Sequence, residues 1–94
     1  MTMLDVSFTS QFKKDVKRMR KQGADMEKLD AAILSLRKRE PLPERFRDHE
    51  LAGNYKKHRE CHLSPDWLLI YRIDEDGLIL TTVRTGSHSD LFDR

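Results

Sequence analysis

Trp67-Leu68-Leu69-Ile70-Tyr71-Arg72-Ile73 constrains the architecture more than any other stretch of the chain. The run is apolar at odd and even positions alike, so a strand built from it is buried on both faces. Ser64-Pro65-Asp66 closes it on one side, and Asp74-Glu75-Asp76-Gly77, a strong hairpin signal, on the other. Such a strand belongs in the middle of a sheet, so the rest of the chain must supply its neighbours and a covering layer.

The neighbours are readable from period-two patterns. Leu4 to Phe8 alternates apolar and polar residues as a half-buried strand does, Tyr55 to Leu63 predicts a mostly polar strand, and Leu78 to Thr85 a last long one. His49-Glu50-Leu51 is a short extended piece, followed by a turn at Ala52-Gly53-Asn54. The covering layer comes from two helices. Thr9 or Ser10 caps the first, whose apolar stripe is Phe12, Val16 and Met19 and which Gly23 ends. Asp25 caps the second, with Met26, Leu29, Ile33 and Leu36 inward, and Pro41 and Pro43 prevent its continuation. Ser87 to Phe92 is a final helical turn or a folded tail. The order predicts a single α+β domain over residues 1–94, with two N-terminal helices packed on one face of a largely antiparallel sheet of four to five strands. The other face of the sheet stays available.

Composition narrows the function. The chain is 37% hydrophobic and 36% charged, so a compact core carries a heavily solvated surface. A single cysteine, Cys61, excludes an internal disulfide framework. No apolar run approaches membrane-spanning length, and Met1-Thr2-Met3-Leu4-Asp5 lacks the features of a signal peptide, so the expected location is cytoplasmic. The net charge of +2 conceals an asymmetry: Thr9 to Arg47 holds twelve Lys/Arg against six Asp/Glu, and Asp48 to Arg94 six against nine. The basic half favours a polyanion or an acidic protein partner.

The chemistry-bearing residues sit at the strand ends of the last half: His49, His62, Asp66 and His88, with Arg59 and Arg84 nearby. A metal site is disfavoured, because His58 and His62 on one strand are roughly 13 Å apart and no CxxC or HExxH motif is present. Cys61 reads as an inert packing residue on a strand. Metal-free RNA cleavage fits the inventory, with no cofactor: histidine or carboxylate takes the 2′-hydroxyl proton and protonates the leaving 5′-oxygen, and arginine neutralises the phosphorane. Trp67 opens an apolar strand and reads as core, whereas Phe92, in the tail after His88, is as suited to stacking on a base as to packing.

Lys13-Lys14-Asp15-Val16, Arg47-Asp48-His49, Leu51, Gly53, Arg59 with His62, Pro65-Asp66-Trp67-Leu68-Leu69-Ile70-Tyr71 and Arg84-Thr85-Gly86-Ser87-His88-Ser89-Asp90-Leu91-Phe92 together resemble the YafQ-type toxins of the RelE/ParE superfamily. The resemblance spans nearly the whole chain in order and spacing. It implies a RelE-like, microbial ribonuclease-like fold and a type II toxin that cleaves messenger RNA on the translating ribosome without metal. A cognate antitoxin would hold it inactive, and contact with DNA would come only through that antitoxin. By the same resemblance His49, His62, Asp66 and His88 match catalytic positions. Trp67 and Phe92 match positions that shape the active site, and Arg59 and Arg84 match basic positions near the scissile phosphate. Gyrase-directed members share the fold without such a histidine set. A toxin that binds gyrase or ribosome without cutting is therefore the alternative, and a harmless RNA-binding protein the third reading.

Overall fold

The computed structural model describes residues 3–74, 76 and 78–92. Five strands, β1 (Asp5–Phe8), β2 (His49–Glu50), β3 (Arg59–Ser64), β4 (Trp67–Asp74) and β5 (Ile79–Gly86), form one sheet in the order β1-β5-β4-β3-β2. β4 is central, as its two-faced apolar sequence requires. All pairs are antiparallel except β1 with β5, where the first strand of the chain joins the last side by side. Helices α1 (Ser10–Lys21) and α2 (Met26–Arg37) cover one face, and a short α3 (His88–Phe92) lies after β5.

Local chemistry sets the helix ends. The Thr9 side chain accepts from the Phe12 N–H at 3.0 Å while donating to the Val83 carbonyl at 2.8 Å, so one hydroxyl caps α1 and ties it to β5. Asp25 caps α2 through the Glu27 N–H. Phe12 and Met19 of α1 and Leu29, Ala32 and Leu36 of α2 pack on Cys61, Leu63, Trp67, Leu69 and Tyr71 of the sheet. Two positions of the expected hairpin turn, Glu75 and Gly77, lie outside the described residues, as do Met1 and Thr2.

The sheet departs from the expected pattern twice. The third strand begins at Arg59, not Tyr55. Gly53–Tyr55 is a 3-10 turn, and Lys57 adopts a left-handed φ of 71°, which no extended strand contains. Tyr55 instead packs edge-on against Phe92, with ring centroids 6.0 Å apart. The second departure follows from the first. The face away from α1 and α2 is only partly open, because Leu91 of α3 with Leu51, Tyr55, Val83 and Phe92 covers Leu68 and Ile70, both 0% exposed. The central strand demanded cover on both sides, and the tail supplies it.

Candidate active site

Cross-strand register places the site. On the face away from α1 and α2, His49 stands opposite Glu60, Glu60 opposite Ile70, and Ile70 opposite Arg84; the next row holds His62, Leu68 and Gly86. A bulge between His62 and Ser64 lies where β3 meets the turn carrying Asp66. His88 opens α3 directly after β5. His49, His62 and His88 thus arrive from three elements and form a chain, with ring centroids 6.2 Å apart between His49 and His62 and 5.9 Å between His62 and His88. They line a cleft of about 640 Å³ with Arg47, Asp48, Glu60 and Pro65.

Each ring is oriented by an oxygen. His88 Nδ1 lies 2.6 Å from Asp66 Oδ1, and the same oxygen accepts the His88 backbone N–H at 3.0 Å. That backbone bond, then the His88 ring, holds the Asp66 carboxyl below the usual carboxylate range, so it stays an acceptor. His62 Nδ1 faces the Phe46 carbonyl at 3.3 Å. Both histidines therefore carry Nδ1–H, and their Nε2 atoms have no partner among the described residues. His49 differs. Its Nδ1 lies 2.6 Å from the Arg47 carbonyl and its Nε2 3.0 Å from Glu60 Oε2, so both nitrogens face oxygens and a proton must be shared with Glu60. Arg47 makes this possible by taking a left-handed conformation, φ 50°, which turns its carbonyl towards the following histidine ring.

The four residues His49, His62, Asp66 and His88 are thus brought together. The remaining expected site residues have other surroundings. Arg59 is adjacent to Glu60 on the strand and so faces the opposite side. Its guanidinium is 2.9 Å from Asp48 Oδ1, and Asp48 Oδ2 also accepts the Tyr71 hydroxyl at 2.6 Å. Arg84 shares the row of His49 and Glu60, but its Nε donates to Asp15 Oδ2 at 2.7 Å. Trp67 lies under the helices at 5% exposure, its indole N–H donating to Thr85 Oγ1 at 2.8 Å, and its ring is closed to a nucleotide base. Phe92 is half-buried over Tyr55. Cys61 is fully buried, and burial, then Asp48 and Glu60, push its thiol up to about 12, so nothing favours a thiolate near neutrality.

Two residues of the cleft escaped the sequence. Glu60 is buried at 5% exposure, and its Oε1 lacks a hydrogen-bond partner among the described residues. Arg47 lines the cleft and makes no ion pair with a described residue. The signals were present: Glu60 is the only acid on its strand, and Arg47 belongs to the Arg47-Asp48-His49 segment.

A sheet of this order, with histidines and carboxylates gathered in one cleft, has the build of a toxin of a type II toxin–antitoxin system. Residues 4–93 match the family model described as a bacterial toxin of type II toxin–antitoxin system, YafQ. The chain belongs to the YafQ toxin family. It is 39% identical over 93 residues to the mRNA interferase toxin YafQ of Escherichia coli K12, covering 98% of this chain and 99% of that one. The crystal structure of a metal-bound toxin from Helicobacter pylori superposes with a TM-score of 0.91 at 42% identity, over 96% of this chain and 100% of the other. The toxin of the E. coli DinJ–YafQ toxin–antitoxin complex gives 0.87 at 38% identity, over 96% and 98%. Among the described residues of this chain, no three His, Cys, Asp or Glu side chains are placed to hold a metal ion. No helix among them is long and apolar enough to cross a membrane.

Proposed function

We propose that this toxin cleaves messenger RNA on the translating ribosome by histidine–carboxylate acid–base chemistry, and that an antitoxin holds it inactive. The chain is an endoribonuclease, as its full-length relative is an mRNA interferase. The observation that carries the chemistry is the convergence of three histidine rings from three elements, each oriented by an oxygen. The antitoxin follows from the family and from the relative seen in complex with DinJ.

In the reaction a base removes the 2′-hydroxyl proton, the 2′-oxygen bonds to phosphorus, and the bond to the 5′-oxygen breaks as an acid protonates it. The products are a 2′,3′-cyclic phosphate and a free 5′-hydroxyl. The nitrogens without a protein partner are suited to these transfers, so His62 Nε2 takes the proton and His88 Nε2 gives one, its imidazolium stabilised by Asp66. His49, with Glu60, borders His62 and holds a shared proton beside it. Arg47, free of carboxylate partners among the described residues, meets the phosphorane charge that Arg59 and Arg84 were expected to meet. Glu60→Gln should slow cleavage by about 10²-fold, the lower end for an acid–base group, measured by single-turnover cleavage of ribosome-bound mRNA. An unchanged rate would remove the His49–Glu60 pair from the mechanism.

Ribosome attachment falls to α1, whose Lys13, Lys14, Lys17 and Lys21 are exposed. Replacing all four by alanine should flatten the log–log salt dependence of ribosome binding by about three, one unit or slightly less for each phosphate no longer neutralised. A slope that stays steep would place the attachment elsewhere. Mapping RNA ends in arrested cells tests the reading as a whole. New 5′ ends at defined codons are expected, whereas arrest with intact transcripts would leave a toxin that binds gyrase or ribosome without cutting.

A further inference from the structure

A second cleft, of about 500 Å³, adjoins the histidine cleft, and the two have Arg47, His62 and Pro65 in common. Lys28 of α2, Arg45 and Phe46 of the preceding 3-10 turn, and Ser64 complete its polar and aromatic lining. Three cations line it and no carboxylate does. The histidine cleft itself is different, since Asp48 and Glu60 line it. The border where α3 enters is acidic as well, with Asp66 held on His88 and Asp90 within α3. An RNA strand whose scissile phosphate sits at His62 must leave over one of these borders. Electrostatics favours the cationic one.

The second cleft is also built for a base. The Arg45 guanidinium carbon lies 5.1 Å from the centroid of the Phe46 ring, and Phe46 packs against the helix-side core. A guanidinium held over a fixed ring offers its outer face for stacking, and Arg planes stack on unpaired RNA bases as aromatic rings do. Across the cleft, Lys28 Nζ is 3.3 Å from Ser64 Oγ, which holds the ammonium beside the turn that leads to Asp66.

We infer that this second cleft binds the messenger nucleotide adjoining the scissile phosphate, with the base on Arg45 and the phosphate between Lys28 and Arg47. The inference rests on the cleavage reading above, and makes the second cleft a determinant of where the toxin cuts. Lys28 and Arg45 are exposed, so their substitution leaves the core intact.

The test is single-turnover cleavage of ribosome-bound mRNA by the full chain, with the nucleotide on either side of the cut left intact or made abasic. In wild type, an abasic residue at one of the two positions should raise the toxin concentration for half-maximal rate by about tenfold, the scale of a single stacked base. Arg45→Ala should raise it about as much on intact RNA, and the abasic residue should then add less than about twofold. Lys28→Ala should raise it on both RNAs alike. If the two losses multiply, or if neither abasic position affects the wild type, the inference is overturned. The underlying reading fails separately: a His62→Ala variant that cleaves at the wild-type rate would sink the histidine mechanism itself.

Discussion

Alanine in place of His88 should lower mRNA cleavage by about 10²–10⁴-fold, and alanine in place of His62 by a similar factor. The two histidines hold the only imidazole nitrogens of the cleft without a protein partner among the described residues, and each is oriented through its Nδ1. In the proposed mechanism, removing His88 takes away the proton donor for the leaving oxygen and leaves Asp66 without its ring. Neither change should cost much stability, because both side chains lie at the surface of the cleft and neither belongs to a core cluster. Both variants should therefore still bind an antitoxin and unfold within a few degrees of wild type. The double variant should be little worse than either single one, since residues acting in one reaction do not contribute additively. Rates measured in single turnover on ribosome-bound mRNA separate this from a binding defect. A His88→Ala variant within about threefold of wild type would assign the acid elsewhere, well outside what a general acid contributes.

How much of this was readable beforehand differs from residue to residue, and the differences have physical causes. Thr9 and Asp25 were legible as caps because capping depends on neighbours two and three positions away. The histidines were legible as candidates because they fall at strand ends. Their convergence was not, since it depends on the bulge after His62 and on α3 folding back over Leu68 and Ile70. Glu60 looked like one polar residue on a polar strand; His49 across the ladder and the cover over Ile70 bury it. Arg59 shows the converse. Alternation along its strand sets it apart from His62, whereas the need for a cation at the phosphorane, together with the family resemblance, drew it towards the phosphate. The structure follows alternation.

Asp15 should prove the most costly polar residue to remove. It sits among Lys13, Lys14 and Lys17 and reads as part of a solvated helix face, yet it is 0% exposed. Beyond Thr82, β1 no longer pairs with β5, and α1 takes over that edge. Asp15 Oδ2 accepts the Thr85 N–H at 3.1 Å, and Arg18 donates to the Thr85 carbonyl at 3.0 Å. Arg84 grips the same carboxylate through two nitrogens, and Arg18 through one. Asp15→Ala would strip Arg84 and a buried strand N–H of their acceptor and take one of the acceptors of Arg18. Breaking a buried pair from one side costs about 3–5 kcal/mol, out of the roughly 5–15 kcal/mol that a small domain has in total. The low end is apt, because Arg18 and Arg84 retain partial exposure. The melting temperature should still fall by at least about 10 °C. Burial alone would push the Asp15 carboxyl up, but Arg84, the Thr85 N–H and Gln11 outweigh it and hold it below its ordinary 3.8. A carboxyl lowered by folding stabilises above its unfolded value and loses that contribution as pH falls through the folded one. The stability gap between wild type and Asp15→Asn should thus be full above about pH 4 and shrink in acid below it; a gap that held constant into acid would mean the charge contributes nothing. The same network reaches the chemistry. Arg18 lies 3.5 Å from Asp90 of α3, and a Cβ on Gly86, whose φ is 156°, would come within 2.6 Å of the Arg18 guanidinium. Loosening Asp15 removes one of the three oxygen partners that fix Arg18 beside Asp90 of α3, the helix that presents His88. Cleavage by Asp15→Asn should therefore fall even at temperatures where the variant remains folded.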